Sequence, residues 1–132
     1  MAKRLKTALL VIAACTSLSA TAQNKLPEFF TESLPALTIE NTMAAYGKLN
    51  GPDSAFTDKQ RQLISLAVAA QIPCVYCVHA HYEKALAAGA TEKEIKEAVA
   101  VAGFVRLIST SLYGARYDMD KYEKEIAKMT GN

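Results

Sequence analysis

Tryptophan is absent from the 132 residues, and glycine and proline occur only six and four times. So little glycine and proline excludes collagen-like repeats and low-complexity architecture. Alternating runs of β-branched residues flanked by turn signals are missing, so no sheet is expected. Acidic residues are missing before Glu28, whereas Lys3, Arg4 and Lys6 stand at the start of the chain. The formal charge of +2 rests on that start. Without residues 1–22 the 15 basic residues fall to 12, against 13 acidic ones, a net −1. A near-neutral domain has no basic field for nucleic acid or anionic lipid, and neither is expected as a partner. What the chain has is apolar residues: 51% of it is hydrophobic, which excludes disorder, and its length suits one compact domain.

The first 22 residues read as an export signal. Residues 1–6 form a positive segment, Ala8 to Ala14 a short apolar one, and Ala20-Thr21-Ala22 a small-residue cleavage site before Gln23. A membrane span needs about 20 predominantly apolar residues, and Thr16, Ser17, Ser19 and Thr21 interrupt this one. Ile12-Ala13-Ala14-Cys15 resembles the lipobox of bacterial lipoproteins and competes with cleavage after Ala22. Because the run before Cys15 is short, cleavage after Ala22 is the reading preferred, which makes residues 23–132 one exported, periplasmic domain. Its two remaining cysteines, Cys74 and Cys77, then lie in an oxidising compartment.

Everything beyond the signal reads as helix, and the fold class expected is an all-α bundle of five to six helices. Residues 23–32 are a lead-in. A first helix spans Pro35 to Lys48 and stops at Gly51-Pro52. Thr57 and Gln60 form a capping box that opens a second helix, apolar on nearly every face and therefore central to the bundle. Pro73 ends it. The third helix runs from Pro73 to Ala88, with Gly89 as its cap. Thr91 and Glu94 form a second capping box, opening a helix that persists to Leu112, where Gly114 breaks or kinks it; a last helix covers Asp118 to Met129.

The chemistry is concentrated in Pro73-Cys74-Val75-Tyr76-Cys77-Val78-His79-Ala80-His81. At about 100° per residue, with Cys74 set at zero, Cys77 falls near −60°, His81 near −20° and His79 near 140°. Cys74, Cys77 and His81 share one face and His79 points away. With Pro73 as the first helical residue, Cys74 lies in the first turn, where free amides and the helix dipole favour a thiolate. His81, four residues after Cys77, is placed to take a proton from it. This pattern suits thiol–disulfide or peroxide chemistry. A purely structural bridge closes too small a loop to stabilise much. Zinc finds only three ligands here, covalent haem would need histidine where Val78 stands, and thioredoxin-like chemistry would need a βαβ context. No cofactor or metal is expected. Glu83 is assigned to the solvated face and Tyr76 to core packing.

The ordered set resembles the carboxymuconolactone decarboxylase superfamily in its alkylhydroperoxidase D-like branch. The residues that carry the likeness are Gln62-Leu63-Ile64-Ser65-Leu66-Ala67-Val68-Ala69, then Cys74-x-x-Cys77-x-x-x-His81, then Ala88-Gly89-Ala90-Thr91-x-x-Glu94-Ile95. The resemblance implies an all-α fold that assembles as homo-trimers or hexamers, and a dithiol peroxidase or reductase supplied by an external electron donor. It implies that Cys77 attacks the hydroperoxide, that Cys74 resolves the sulfenic acid to a disulfide, and that His81 belongs to a proton relay. The helix dipole taken alone favours Cys74 as nucleophile instead; the base four residues from Cys77 agrees with the family. One residue departs from the pattern. Where the family's relay has a glutamate, twelve residues before the first cysteine, this chain has Gln62. An amide cannot accept and release a proton at neutral pH, although it can orient His81 or a water. The expectation is a weaker peroxidase, or a dithiol that exchanges electrons with a thiol partner. A non-redox decarboxylase and a non-catalytic exported assembly on the same fold are the alternatives.

Overall fold

A computed structural model describes residues 26–131. The expected signal region, its cleavage site at Ala22 and the lipidation candidate Cys15 lie outside the described residues. All regular structure among the described residues is helical: α1 (Glu28–Ser33), α2 (Ala36–Leu49), α3 (Asp58–Gln71), α4 (Val75–Ala87), α5 (Glu92–Gly114) and α6 (Met119–Thr130). The chain divides between Asn41 and Thr42 into two compact units.

The first unit holds α1 and the start of α2. Part of the expected lead-in is thus a short helix, opened by Pro27, whose carbonyl accepts from the Phe30 amide at 3.0 Å. Pro35 stands just before α2 rather than inside it, its carbonyl accepting from the amides of Thr38 and Ile39.

In the second unit both capping boxes form as the sequence indicates. Thr57 Oγ1 accepts from the Gln60 amide and Gln60 Oε1 from the Thr57 amide, at 3.3 and 2.9 Å. Thr91 and Glu94 do the same at 3.2 and 2.7 Å. Each box satisfies two amides that a helix start would otherwise leave open. Gly89, at φ +82°, closes α4, as its lack of a Cβ allows. The turn after α5 uses Arg116 at φ +49°, a left-handed position where an arginine is strained. Helix α5 ends at Gly114, where the sequence reading placed a break or kink.

The core is built on α3. Gln62, Leu66 and Ala69, spaced four and three residues apart, are its buried stripe. Leu66 packs with Ala85 of α4, Ala90 of the α4–α5 turn and Ile95 of α5, and Leu63, Val78 and Tyr82 close over them. Helix α3 lies against both α4 and α5, which makes it central, as its apolar composition suggests. Its outward Ile64 and Val68 nevertheless stay exposed. Tyr76 corrects the sequence reading: it is 85% exposed on α4 and packs in no core. The helical period turns it outward while Cys77 and Val78 turn inward. Apolar side chains also line the outside of α5 and α6, among them Phe104, Val105, Ile108, Tyr122 and Ile126. Among the described residues α6 packs against none of the other helices, and no helix is long and apolar enough to cross a membrane.

Candidate functional site

The site lies where α4 starts beside α3. Cys74 is the N-cap of α4, two positions earlier along the helix than the sequence reading put it. Pro73 falls in the preceding turn, so the helix opens at Val75 and the Cys74 backbone is extended (φ −99°, ψ 95°). Its Sγ takes the capping role that a serine or aspartate oxygen usually plays, accepting from the Cys77 amide at 3.2 Å. The two cysteines form a disulfide with Cα atoms 5.3 Å apart. Both are half-buried. Placement at the helix N-terminus makes Cys74 the sulfur best stabilised as a thiolate when the bridge is reduced.

One turn after Cys77, His81 reaches across to α3. Its Nδ1 lies 2.8 Å from Oε1 of Gln62. Gln62 is 8% exposed and, among the described residues, is the one polar residue in the buried set. It occupies the first position of α3's buried stripe, and His81 precedes buried Ala85 by one turn of α4, so the contact spans the α3–α4 interface. Burial lowers the His81 pKa below its ordinary value, and the nearby Lys84 ammonium lowers it further. The ring is therefore mostly uncharged at neutral pH. His79 and Glu83 are exposed, as read from the sequence.

The four predicted site residues thus form two joined pairs, Cys74 with Cys77 and Gln62 with His81, linked by the one-turn spacing of Cys77 and His81. A cavity of about 420 Å³ opens beside Cys74, lined by Ala69, Ala70, Pro73, Val75, Val78, His79 and Tyr82. Its lining is mostly apolar. Tyr82 was not singled out from the sequence. It borders this cavity and donates from its hydroxyl to Glu92 at 2.7 Å, the hydrogen bond that chiefly raises its pKa. Only its position eight residues after Cys74, two helical turns on, would have signalled it. Lys59 of α3 pairs with Glu94 of α5 at 2.8 Å; that lysine and the Thr91 cap hold the Glu94 carboxyl at a pKa of about 2. This pair ties α3 to the start of α5 one turn before Gln62. Among the described residues no three His, Cys, Asp or Glu side chains gather as metal ligands.

The geometry can do three things: cycle a dithiol and a disulfide, hold a neutral imidazole one turn from one sulfur, and seat an apolar group beside the other. A Paracoccus denitrificans protein described as uncharacterized protein 4 in the cox locus is 35% identical over 69 residues. The matched stretch spans 52% of this chain and 62% of that relative, less than two thirds of its length. Residues 38–117 match the carboxymuconolactone decarboxylase family, a span that contains both capping boxes, the cysteine pair, His81 and Gln62. The chain belongs to the carboxymuconolactone decarboxylase family.

Proposed function

We propose that this protein is a thiol-dependent oxidoreductase of the alkylhydroperoxidase D type, in which Cys77, Cys74, His81 and Gln62 form the working site. The observation that carries the reading is a disulfide at the N-terminus of a helix, with an imidazole one turn further on that is held by Gln62. In the peroxidatic direction a Cys77 thiolate attacks the distal oxygen of a hydroperoxide. The O–O bond breaks, an alcohol leaves, and Cys77 becomes a sulfenic acid. Cys74 then attacks that sulfur, water leaves, and the disulfide forms. An external dithiol returns both electrons through a mixed disulfide.

Assembly and location belong to the same proposal. The exposed apolar side chains on the outside of α5 and α6, Phe104, Val105, Ile108, Tyr122 and Ile126 among them, support a homo-oligomer, a trimer or hexamer. Export through residues 1–22 places the dithiol in an oxidising compartment, where it rests as a disulfide and needs a dedicated donor.

Thiol titration of the reduced protein, with and without hydroperoxide, tests the reading. Loss of two thiols per peroxide, abolished by Cys77→Ser, supports it. A disulfide that resists reduction, in a protein indifferent to peroxide, supports a non-catalytic assembly, the reading that Gln62 favours because an amide cannot relay a proton. Turnover of a lactone acid by a cysteine-free variant would instead make it a non-redox decarboxylase.

A further inference from the structure

The contact between Gln62 and His81 says more than that the two residues meet. A carboxamide oxygen accepts hydrogen bonds and has no proton to give. With Gln62 Oε1 placed 2.8 Å from Nδ1, the proton in that contact belongs to the ring. We infer that the Gln62 carboxamide is a positioning group that fixes His81 as its neutral Nδ1–H tautomer, leaving the Nε2 lone pair as the site's base and turning the dithiol toward disulfide exchange rather than hydroperoxide reduction. The functional half of this inference rests on the dithiol reading above; the tautomer does not.

Three features hold the ring in that state. Gln62 is buried on α3, which holds its side chain in the contact. Its amide carries no charge, so a second proton on the ring gains no counter-ion. Of the charged groups on α3 and α4, Lys84 opposes an imidazolium, Lys59 and Arg61 are paired with Glu94 and Asp58, and Glu83 is exposed.

A base without a matching acid suits one reaction better than the other. In exchange, an external thiol gives its proton to Nε2, its sulfur attacks the Cys74–Cys77 bridge, and the displaced cysteine sulfur takes that proton back. A second thiol of the same donor attacks the mixed disulfide, leaving two reduced cysteines and one oxidised donor. Electrons and protons balance with no other reactant. Hydroperoxide cleavage expels an alkoxide, a far stronger base than the thiolate displaced in exchange, so it depends more on a proton donor as it leaves, and a ring held neutral is a poor one.

Long-range ¹H–¹⁵N correlation spectra of the oxidised full chain test the tautomer directly. The chain has two histidines, so His79→Asn assigns the other. The inference expects a protonated Nδ1 and a bare Nε2 on His81, with a titration midpoint below 6.5. Gln62→Glu should raise that midpoint by about one unit or more and lower the ratio of dithiol oxidation to hydroperoxide reduction by about tenfold. Gln62→Leu should release the ring into a mixture of tautomers. Should that variant fail to fold, the wild-type spectrum and the glutamate variant still decide. A wild-type ring protonated at Nε2 would overturn the inference, since the amide would then be turned with its NH₂ toward Nδ1. So would an unmoved midpoint in Gln62→Glu. If the tautomer is as stated and neither dithiothreitol nor peroxide is consumed, the redox reading fails and the assignment of the ring stands.

Discussion

Exchanging Gln62 for glutamate changes one atom of a buried contact and should restore proton transfer to the site. The side chain keeps its shape, so the 2.8 Å approach to Nδ1 is retained, but the acceptor becomes a carboxylate. A hydrogen bond to a charged group contributes roughly 1.5–3 kcal/mol where a neutral one contributes about 0.5–1.5. The difference, about 1–1.5 kcal/mol, corresponds to roughly one pKa unit in favour of the imidazolium. Burial at position 62, only 8% exposed in the wild type, opposes a carboxylate, and the pair will titrate together rather than singly. At this separation the contact outweighs the burial, because the ring that neutralises the charge lies within hydrogen-bond distance. Hydroperoxide consumption at pH 7, with excess dithiol as donor, should therefore rise about tenfold in Gln62→Glu. The stability profile should reverse with it. A raised histidine pKa gives stability that is present below 6.5 and lost as the pH rises through the new value. Unchanged turnover in a variant whose His81 midpoint has risen would refute the reasoning, for it would show that the proton on His81 does not govern the slow step.

Leu66→Ala should cost about 3 kcal/mol in urea unfolding, because Leu66 is a large side chain only 1% exposed and its neighbours Ala85 and Ala90 are too small to fill the space; a loss below about 1 kcal/mol would place the core elsewhere. Arg116→Gly should stabilise the protein by up to about 1 kcal/mol by relieving a left-handed arginine, with thermal unfolding as the readout. Wild-type stability should fall on acidification in two windows. His81 is held below its ordinary pKa, so its contribution is present above 6.5 and declines as the pH falls until the folded ring also protonates. Glu94, held at about 2 chiefly by Lys59, contributes above its ordinary 4.5, and that contribution is lost between 4.5 and about 2. Lys59→Met should flatten the second window, and a slope that it leaves unchanged would show the ion pair to be dispensable.

What could be read from the sequence was mostly what depends on near neighbours. The boxes at Thr57 and Thr91 need one oxygen and one amide three residues apart, so side-chain type alone identifies them. The same holds for the cap at Gly89, whose positive φ excludes most other residues. Helix α1 escaped notice because six residues with no buried side chain leave no periodic apolar stripe. Cys74 moved by two positions, from the first turn to the cap, a shift that spacing arguments cannot detect and that matters because it gives the sulfur an amide of its own. The Gln62–His81 contact joins residues 19 apart on different helices. Helical spacing could put each on an inward face, but only the family resemblance suggested that the two faces meet.

Tyr76 and the outside of α5 and α6 show where such reading ends, and why. Periodicity separates the faces of a helix, but it cannot tell an apolar side chain that packs within the chain from one that waits for a surface outside it. Val75, Tyr76, Phe104 and Ile126 are as apolar as the core and all exposed. Around Cys74 this ambiguity is itself informative. Val75 lines the cavity beside the sulfur, and the neighbouring Ile72 and Tyr76 leave that edge of the site apolar and exposed. An apolar approach lowers the local dielectric around whichever thiolate forms there, and a thiolate so placed depends more heavily on the Cys77 amide and the start of α4 for its charge. The cap geometry, which links the two cysteines even before the bridge is considered, is therefore the part of the site that an apolar surface would make most consequential.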